Sequence, residues 1–424
     1  MPIEETFHQL LGLDECWRVK AASYQEAENR FVIEVEETPQ LWKAESRQVG
    51  FEVSCYDHVE PLEWRHLNVF NKEAVILCRL PRGRYVDPHA SVGGTEKVYR
   101  VKPPWEGQSK HFTREFEAFA LTLMREMPVK KAGEILGETD KRLWRMLFLH
   151  VQAAYAASEW EVVWVGADEM NIRKGHNYLT VFADLKGKRV IYATEGKGAD
   201  AWERFVAEMQ AHNAHPKQVT QAAIDMSPAY IKGVKENLGN AEIVFDKFHV
   251  IAQINEGVEK VRRLEAQASE TARRSLLKTQ WIWRKNPENW TDKEAVRMSE
   301  LDGEHLMTAT AYQMRLNLQG IYTCRRESTA RRKFQEWCQW VRRKAAQKGN
   351  EMLEPMVRAA AMVEKHLEGI LGHWKEGLTT AFMEGLNSLF SATKRKARGY
   401  KSVEYLKTML YFVAGKLTIP YPFH

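Results

Sequence analysis

Hydrophobic and polar positions along this chain change their period twice, and the changes divide it into regions. Up to Pro88 the apolar residues come in short runs at 31–36, 50–54 and 74–80 between turn formers. That pattern predicts short β-strands, with Pro81 and Pro88 interrupting the chain beyond the last of them. From Thr113 the spacing becomes helical, opening with Phe116, Phe119, Ala120 and Leu123. Residues 128–145 then read as two helices joined by a turn. Ala132 and Ile135 face inward on the first, Gly137 permits the turn, and Thr139 or Asp140 caps the second. The second helix packs Leu143 and Leu147 and presents Lys141, Arg142 and Arg145 outward, which is the grammar of a helix-turn-helix. A helical hairpin of this kind need not touch DNA; the basic residues on its second helix, with Lys130 and Lys131 on the first, favour contact.

Residues 160–250 alternate strand and helix. Strands are predicted at 161–165, 178–184 and 189–194, with Gly187 turning the chain between the last two. A helix follows at 199–212, with Trp202, Phe205, Val206 and Met209 on one face. A strand at 219–224, a helix at 228–238 and a strand at 242–245 complete the region. Three antiparallel strands followed by two helix-linked strands is the order of a ribonuclease-H-like α/β core. Residues 255–372 are almost wholly helical in pattern and predict a large all-helical insertion. The expected organisation is a small β-rich region at 1–108, a helix-turn-helix at 109–155, the first part of the core at 156–262, the insertion at 263–372 and a closing catalytic helix with a C-terminal helix at 373–424.

At 424 residues, 44% apolar and 28% charged, the composition is that of an ordinary globular protein. No run reaches the ~18 to 20 apolar residues of a membrane span, and the first residues lack the organisation of a signal peptide, so a cytoplasmic location and no membrane partner are expected. The five cysteines include no Cys-x-x-Cys pair, which fits a reducing compartment. Net charge is only +6, but it is unevenly spread. Residues 391–402 carry Lys394, Arg395, Lys396, Arg398 and Lys401 with no acid, and 325–348 hold nine bases and two acids. Such clusters suit a polyanion bound through phosphates, against the alternative of a solvated helix face.

Three carboxylates carry the candidate chemistry. Asp168 follows the apolar run 162–165, Asp225 follows 219–224, and Glu384 lies in a helical segment. A charge at the tip of a buried strand is costly unless it is solvated, paired or metal-bound. The 57 residues from Asp168 to Asp225 allow neighbouring strands, and the 159 from Asp225 to Glu384 require the insertion. Two Mg²⁺ (or Mn²⁺) ions held by such acids suit attack on a phosphodiester, with Asp168 bridging both and Asp225 and Glu384 holding one each. Around Glu384, Asn387 or Ser388, Ser391, Lys394 and Arg395 share one helical face, as a DNA-docked helix needs; an amphipathic core helix with a solvated face is the alternative.

Other acids compete. Glu169 would point to the opposite side of a continued strand, Asp184 reads as a turn residue, and Asp246 is the main rival of Asp225. His249 either orients a neighbour, contacts DNA or sits in the core. Cys55, His58, Cys78 and His89 match no zinc pattern, and Cys78 reads as a buried strand residue. The tryptophans of the insertion read mostly as packing, although an exposed one can stack on an unpaired base.

These residues resemble the bacterial insertion-sequence transposases of the ISL3 type, which carry an acid triad of the DDE kind. The resemblance rests on Gly166-Ala167-Asp168-Glu169, on Ile224-Asp225-Met226-Ser227-Pro228-Ala229-Tyr230, and on Phe245-Asp246-Lys247-Phe248-His249-Val250. Lys285-Asn286-Pro287-Glu288-Asn289, Glu384-Gly385-Leu386-Asn387-Ser388 and Lys394 to Tyr400 extend it, as do Tyr56-Asp57-His58 and Trp64-Arg65-His66-Leu67 near the N-terminus. It implies a ribonuclease-H-like catalytic domain, binding of double-stranded DNA at terminal inverted repeats, and Asp168, Asp225 and Glu384 as catalytic acids, with Asp246, His249 and Asn387 close behind them. One departure stands out: Tyr85 occupies a position where the family's N-terminal zinc ribbon has a cysteine, so that region is expected to bind DNA without zinc. The chemistry implied is cut-and-join recombination by a homodimer or larger synaptic assembly, associated with the nucleoid when DNA-bound. The competing expectations are a non-catalytic DNA-binding regulator derived from a transposase and a structure-selective nuclease.

Overall fold

The computed structural model describes residues 2–87, 89, 95–173, 177–196, 198–302, 306–375, 385, 388, 391, 400 and 402–420. The chain is mixed α/β and divides into two units, Met1–Ser158 with Ala392–His424 and Glu159–Ser391. Among the described residues no helix is long and apolar enough to cross a membrane.

The first unit begins with α1 (Ile3–Leu10), β1 (Trp17–Gln25), β2 (Arg30–Glu37) and α2 (Gln40–Val49). Five strands follow: β3 (Ser54–His58), β4 (Leu62–Val69), β5 (Lys72–Cys78), β6 (Pro81–Asp87) and β7 (Thr95–Arg100). They form one sheet in the order β1-β2-β5-β4 and another in the order β3-β6-β7. Trp17 and Trp64 pack edge-on against Trp105 at 5.0 and 5.8 Å, above Ile33, Ile76 and Leu80. The predicted runs at 31–36 and 74–80 fall in β2 and β5. The run at 50–54 does not form a strand, because Gly50, at φ 84, closes α2 and pairing starts only at Ser54. Nor does Pro81 end the sheet: it opens β6, where a first residue need not donate to the ladder.

Three helices come next, α3 (Arg114–Glu126), α4 (Val129–Leu136) and α5 (Asp140–Ala156). Thr113 caps α3 by accepting the Phe116 N–H, and Thr139 caps α5 by accepting the Arg142 N–H. Gly137 makes the turn at φ 73. Leu143 and Leu147 are fully buried, as the spacing predicts. Ile135 is not: it is 46% exposed, and α4 instead buries Val129, Ala132, Gly133 and Leu136. With the helix starting at Val129, those four positions make the i, i+3, i+4, i+7 stripe and Ile135 falls beside it. Among these helices lies a buried carboxylate network. Glu117 accepts the backbone N–H groups of Gln108 and Ser109 at 2.9 Å each, accepts the Ser109 hydroxyl, and bonds His150 Nε2 at 2.9 Å.

The second unit is built on β8 (Trp164–Arg173), β9 (Asn177–Asp184), β10 (Arg189–Glu195), β11 (Gln221–Ile224) and β12 (Glu242–Phe245), in the order β10-β9-β8-β11-β12. The first three pair antiparallel, and β8, β11 and β12 run parallel. Asp184 is the turn residue expected: its Oδ1 accepts the Gly187 N–H at 2.8 Å and its Oδ2 accepts Arg189 Nε at 3.3 Å. Between β10 and β12 lie α6 (Asp200–Ala211) and α7 (Pro228–Asn237). Phe205 of α6 stacks on Phe182 at 4.3 Å, with Trp202 edge-on to Phe182 at 4.9 Å. Gly233 brings α7 against that indole: a Cβ there would lie 2.2 Å from Trp202 Cδ1. Gly233→Ala is therefore expected to cost about 1–3 kcal/mol through overpacking. Gly239→Ala, in open space, serves as the control in urea denaturation.

A helical series follows: α8 (Lys247–Ala268), α9 (Glu270–Ser275), α10 (Asp292–Asp302), α11 (Met307–Ile321), α12 (Glu327–Ala345), α13 (Glu354–Lys365) and α14 (Leu367–Leu371). The last helix, α15 (Val403–Ala414), belongs to the first unit, where Tyr405 and Tyr411 pack on Trp144 and Tyr155 of α5 at 4.4 and 4.7 Å.

Candidate active site

The parallel strands fix the site by their register. β8 starts three residues later than the predicted strand at Glu161 and runs on to Arg173, so Asp168 lies within a strand and not at its tip. Its partner Val181 on β9 continues the ladder on one side. On the other side β11 pairs with β8 only as far as Ala223 opposite Gly166, and Ile224 pairs with Phe245 of β12. Asp225 thus stands two residues past Ala223, as Asp168 stands two past Gly166. Asp246 stands one past Phe245, as Asp225 stands one past Ile224. Continued by that register, the three acids fall at matching positions past the paired residues of neighbouring strands, whose spacing is about 4.8 Å. Short strands ending together are what bring Asp225 and Asp246 to this edge.

Each carboxylate is held by a backbone donor. Asp168 Oδ1 accepts the Glu169 N–H at 2.7 Å and lies 3.7 Å from His249 Nε2. Asp225 Oδ1 accepts the Ser227 N–H at 2.8 Å. Asp246 Oδ1 accepts the Phe248 N–H at 2.9 Å and caps α8, a structural duty that accounts for an acid there without any ligand. The Asp168 side chain is 17% exposed and that of His249 38%, so solvent reaches both and His249 is not a core histidine. Glu169 pairs with Thr180 in the β8–β9 register, on the face opposite Asp168.

That opposite face holds a group the sequence did not single out, although Tyr230 ends one of the motifs. Tyr230 is fully buried, its hydroxyl 3.0 Å from Thr180 Oγ1. Because Thr180 donates its only proton to the Gly196 carbonyl at 2.7 Å, Tyr230 donates to Thr180. Burial pushes the phenol pKa far up, and the charges of Glu169, Asp225 and Asp168 add to the effect. It stays a neutral donor beneath the acid row.

Glu384 and Asn387 lie outside the described residues, as do Lys394, Arg395, Lys396, Arg398 and Lys401. Among the described residues alone, no group of three or more His, Cys, Asp or Glu side chains is gathered to hold a metal. The cysteines and histidines of the first unit are dispersed: Cys78 sits in the core, where burial raises its thiol pKa to about 12, Cys55 is exposed, and His58 bonds Glu37 at 2.6 Å.

On the helix-turn-helix, all five predicted cations are exposed. Lys131 pairs with Glu134 at 3.0 Å, and Arg142 is held by Glu138 at 2.7 and 2.9 Å over the Phe112 ring. Lys130, Lys141 and Arg145 have no ion pair among the described residues. In the second unit, buried Arg315 donates to the carbonyls of Arg284 and Lys285 at 3.2 and 3.3 Å and to Asn255 Oδ1 of α8 at 3.0 Å. It thereby fastens the Lys285–Asn289 motif to the helix that carries His249.

Comparison with known proteins places the chain in a family. A transposase family model of the ISL3 type matches residues 165–410, and the helix-turn-helix domain of transposase family ISL3 matches residues 101–150. The chain belongs to the ISL3 transposase family. It is 30% identical, over 260 residues, to the transposase for insertion sequence element IS1001 of Bordetella parapertussis, a match covering 60% of this chain and 62% of that one. It is 22% identical, over 452 aligned positions, to the transposase for insertion sequence element IS1557 of Mycobacterium tuberculosis, covering 98% and 96%.

Proposed function

We propose that the chain is an insertion-sequence transposase that binds the terminal inverted repeats of its element, cleaves the ends and joins them to DNA at Asp168, Asp225 and Glu384. The observation that supports this is the β8–β11 register, in which Ala223 lies opposite Gly166 and Asp225 and Asp168 each follow two residues later. The sheet order β10-β9-β8-β11-β12, three antiparallel strands followed by two parallel ones, supports a ribonuclease-H-like core. Family membership supports the substrate class.

The donors suit hard divalent cations: aspartate oxygens at a solvent-reached sheet edge, with Asp225 Oδ2 accepting no hydrogen bond among the described residues. Asp168 and Asp225 would hold Mg²⁺ or Mn²⁺ together with Glu384. Bound there, two such ions supply activation of the attacking oxygen and charge stabilisation at the leaving one. The chain's own residues do the rest. The Glu169 and Ser227 N–H groups fix the two carboxylates, and His249 steadies Asp168. Lys141 and Arg145 position the end duplex through its phosphates. Water attacks the phosphodiester at the element end, breaking the P–O3′ bond on one side and freeing a 3′-hydroxyl. That hydroxyl then attacks a second phosphodiester, whose own 3′-oxygen leaves, so the bond count is conserved and no nucleotide cofactor is needed. Two ends must be processed together, which calls for a homodimer or larger synaptic complex.

The decisive experiment supplies a pre-cut end duplex and a target duplex to the wild-type protein. Joined products in Mg²⁺, abolished by chelation, are expected. A protein that binds ends but never joins them would leave the non-catalytic regulator as the function.

A further inference from the structure

The helical series contains a groove that neither the fold nor the acid row uses. It lies between α11 and α12, has a volume of about 790 Å³ and is lined by Gln313, Asn317, Gly320, Lys333, Trp340 and Arg343 among others. On α12, Lys333, Trp340 and Arg343 recur at i, i+7 and i+10 and so share one face. The two cations are exposed and Trp340 is half-buried.

Among the described residues, three cations of α12 are paired, and Lys344 is not. Arg331 is taken by Glu327 and Glu368, Arg332 by Glu336, and Arg342 by Glu364. Lys333 and Arg343, the two cations facing the groove, have no ion pair among the described residues. Glu336, the only acid among the groove's described lining residues, is neutralised by Arg332 at 2.8 Å. Two unpaired cations on one groove offer a polyanion two phosphate contacts.

One end of the groove adjoins, through buried Tyr322, the residue that follows Asp246. The groove's lining residues Gly320 and Ile321 directly precede Tyr322, whose ring lies 5.4 Å from the ammonium of Lys247. Lys247 follows Asp246 in the chain. From Lys333 to Arg343 the helix rises about 15 Å, enough to span more than one backbone phosphate of an extended strand.

We propose that this groove is a track for an unpaired DNA strand leading away from the acid row, with Trp340 stacking on a base and Lys333 and Arg343 holding the phosphates beside it. The inference rests on the DNA-processing function proposed above. An unpaired strand fits better than a duplex because a paired base has both faces covered by its neighbours, while every unpaired base offers one to an indole. The exposed amides of Gln313 and Asn317 can meet base edges without selecting a sequence.

The test uses the full chain with a blunt duplex and the same duplex bearing a thymidine tail labelled with 2-aminopurine. Wild-type protein should prefer the tailed form and alter the label's fluorescence. Trp340→Ala should lose about ten-fold or more of that preference and the fluorescence change, while Trp340→Phe keeps most of both. Lys333→Ala with Arg343→Ala, at exposed positions that do not threaten the fold, should reduce the salt dependence of tail binding by roughly 0.7 per phosphate. Unchanged tail preference in Trp340→Ala and an unchanged salt slope in the double variant overturn the groove proposal, even if strand transfer by wild type still depends on Asp168. Failure of wild type to bind either duplex overturns both this proposal and the function on which it rests.

Discussion

Asp168→Ala and Asp225→Ala proteins will bind element-end DNA as wild type does and lose strand transfer by about 10³-fold or more, on the order of 4 kcal/mol in the barrier. The reason is geometric. Both acids stand at equivalent positions on adjacent parallel strands, where β11 has ended and β8 continues. Each accepts a backbone N–H and is partly exposed, so truncation removes a carboxylate without opening the core. Folding should survive, as circular dichroism and thermal melting would show. The sharper contrast is between Asp225→Asn and Asp246→Asn. Asparagine retains the oxygen that accepts the Phe248 N–H, so Asp246→Asn should keep the α8 cap and much of the activity. Activity lost in Asp246→Asn but kept in Asp225→Asn would transfer the catalytic assignment to the rival acid.

The second large effect is on stability. Glu117→Ala would leave two backbone N–H groups, the Ser109 hydroxyl and His150 without their shared acceptor, at 0% exposure for the histidine. Breaking such a buried pair from one side costs about 3–5 kcal/mol. Glu117→Gln keeps one acceptor oxygen but directs an amide N–H towards donors, and should cost somewhat less. The same residue sets a pH dependence. Burial alone would raise the Glu117 pKa, but the hydrogen bonds from His150 and Ser109 outweigh it and hold the carboxyl below its ordinary value. A depressed folded pKa contributes stability that is fully present above the unfolded value near 4.3 and is lost as pH falls through the folded one. Urea midpoints measured from about pH 5 down to about pH 3 should therefore fall more for wild type than for Glu117→Gln. Equal acid sensitivity in the two proteins would remove Glu117 as the cause.

The sequence made much of this legible, for physical reasons that differ by element. β12 was readable to the residue because buried parallel strands between helices are short apolar runs with sharp ends. The turn at Gly137 and the cap at Thr139 were readable because few residues supply those local geometries. Ile135 was misassigned because Ala132 has apolar neighbours at both i+3 and i+4, and the buried stripe through Val129, Ala132 and Gly133 continues to Leu136 instead. Asp168 was expected at a strand tip because the apolar run stops at Val165. The strand continues because β9 pairs with it on one side, a tertiary condition that periodicity cannot carry. His249 was expected close behind the acids, but that Asp168 is the one it approaches needed β8 and α8 to meet. Tyr230 shows the converse case: its residue lay within a quoted motif, but only its bond to Thr180 shows what it does.

The placement of α15 has a consequence for synthesis. Trp144 and Tyr155 of α5 are covered by a helix that the ribosome makes only after the whole of the second unit, more than half of the chain later. A nascent helix-turn-helix therefore waits with part of its apolar surface bare. Products cut short by a frameshift or early stop never receive that cover, and are poor candidates for stable fragments that would occupy the element's ends in place of the full protein.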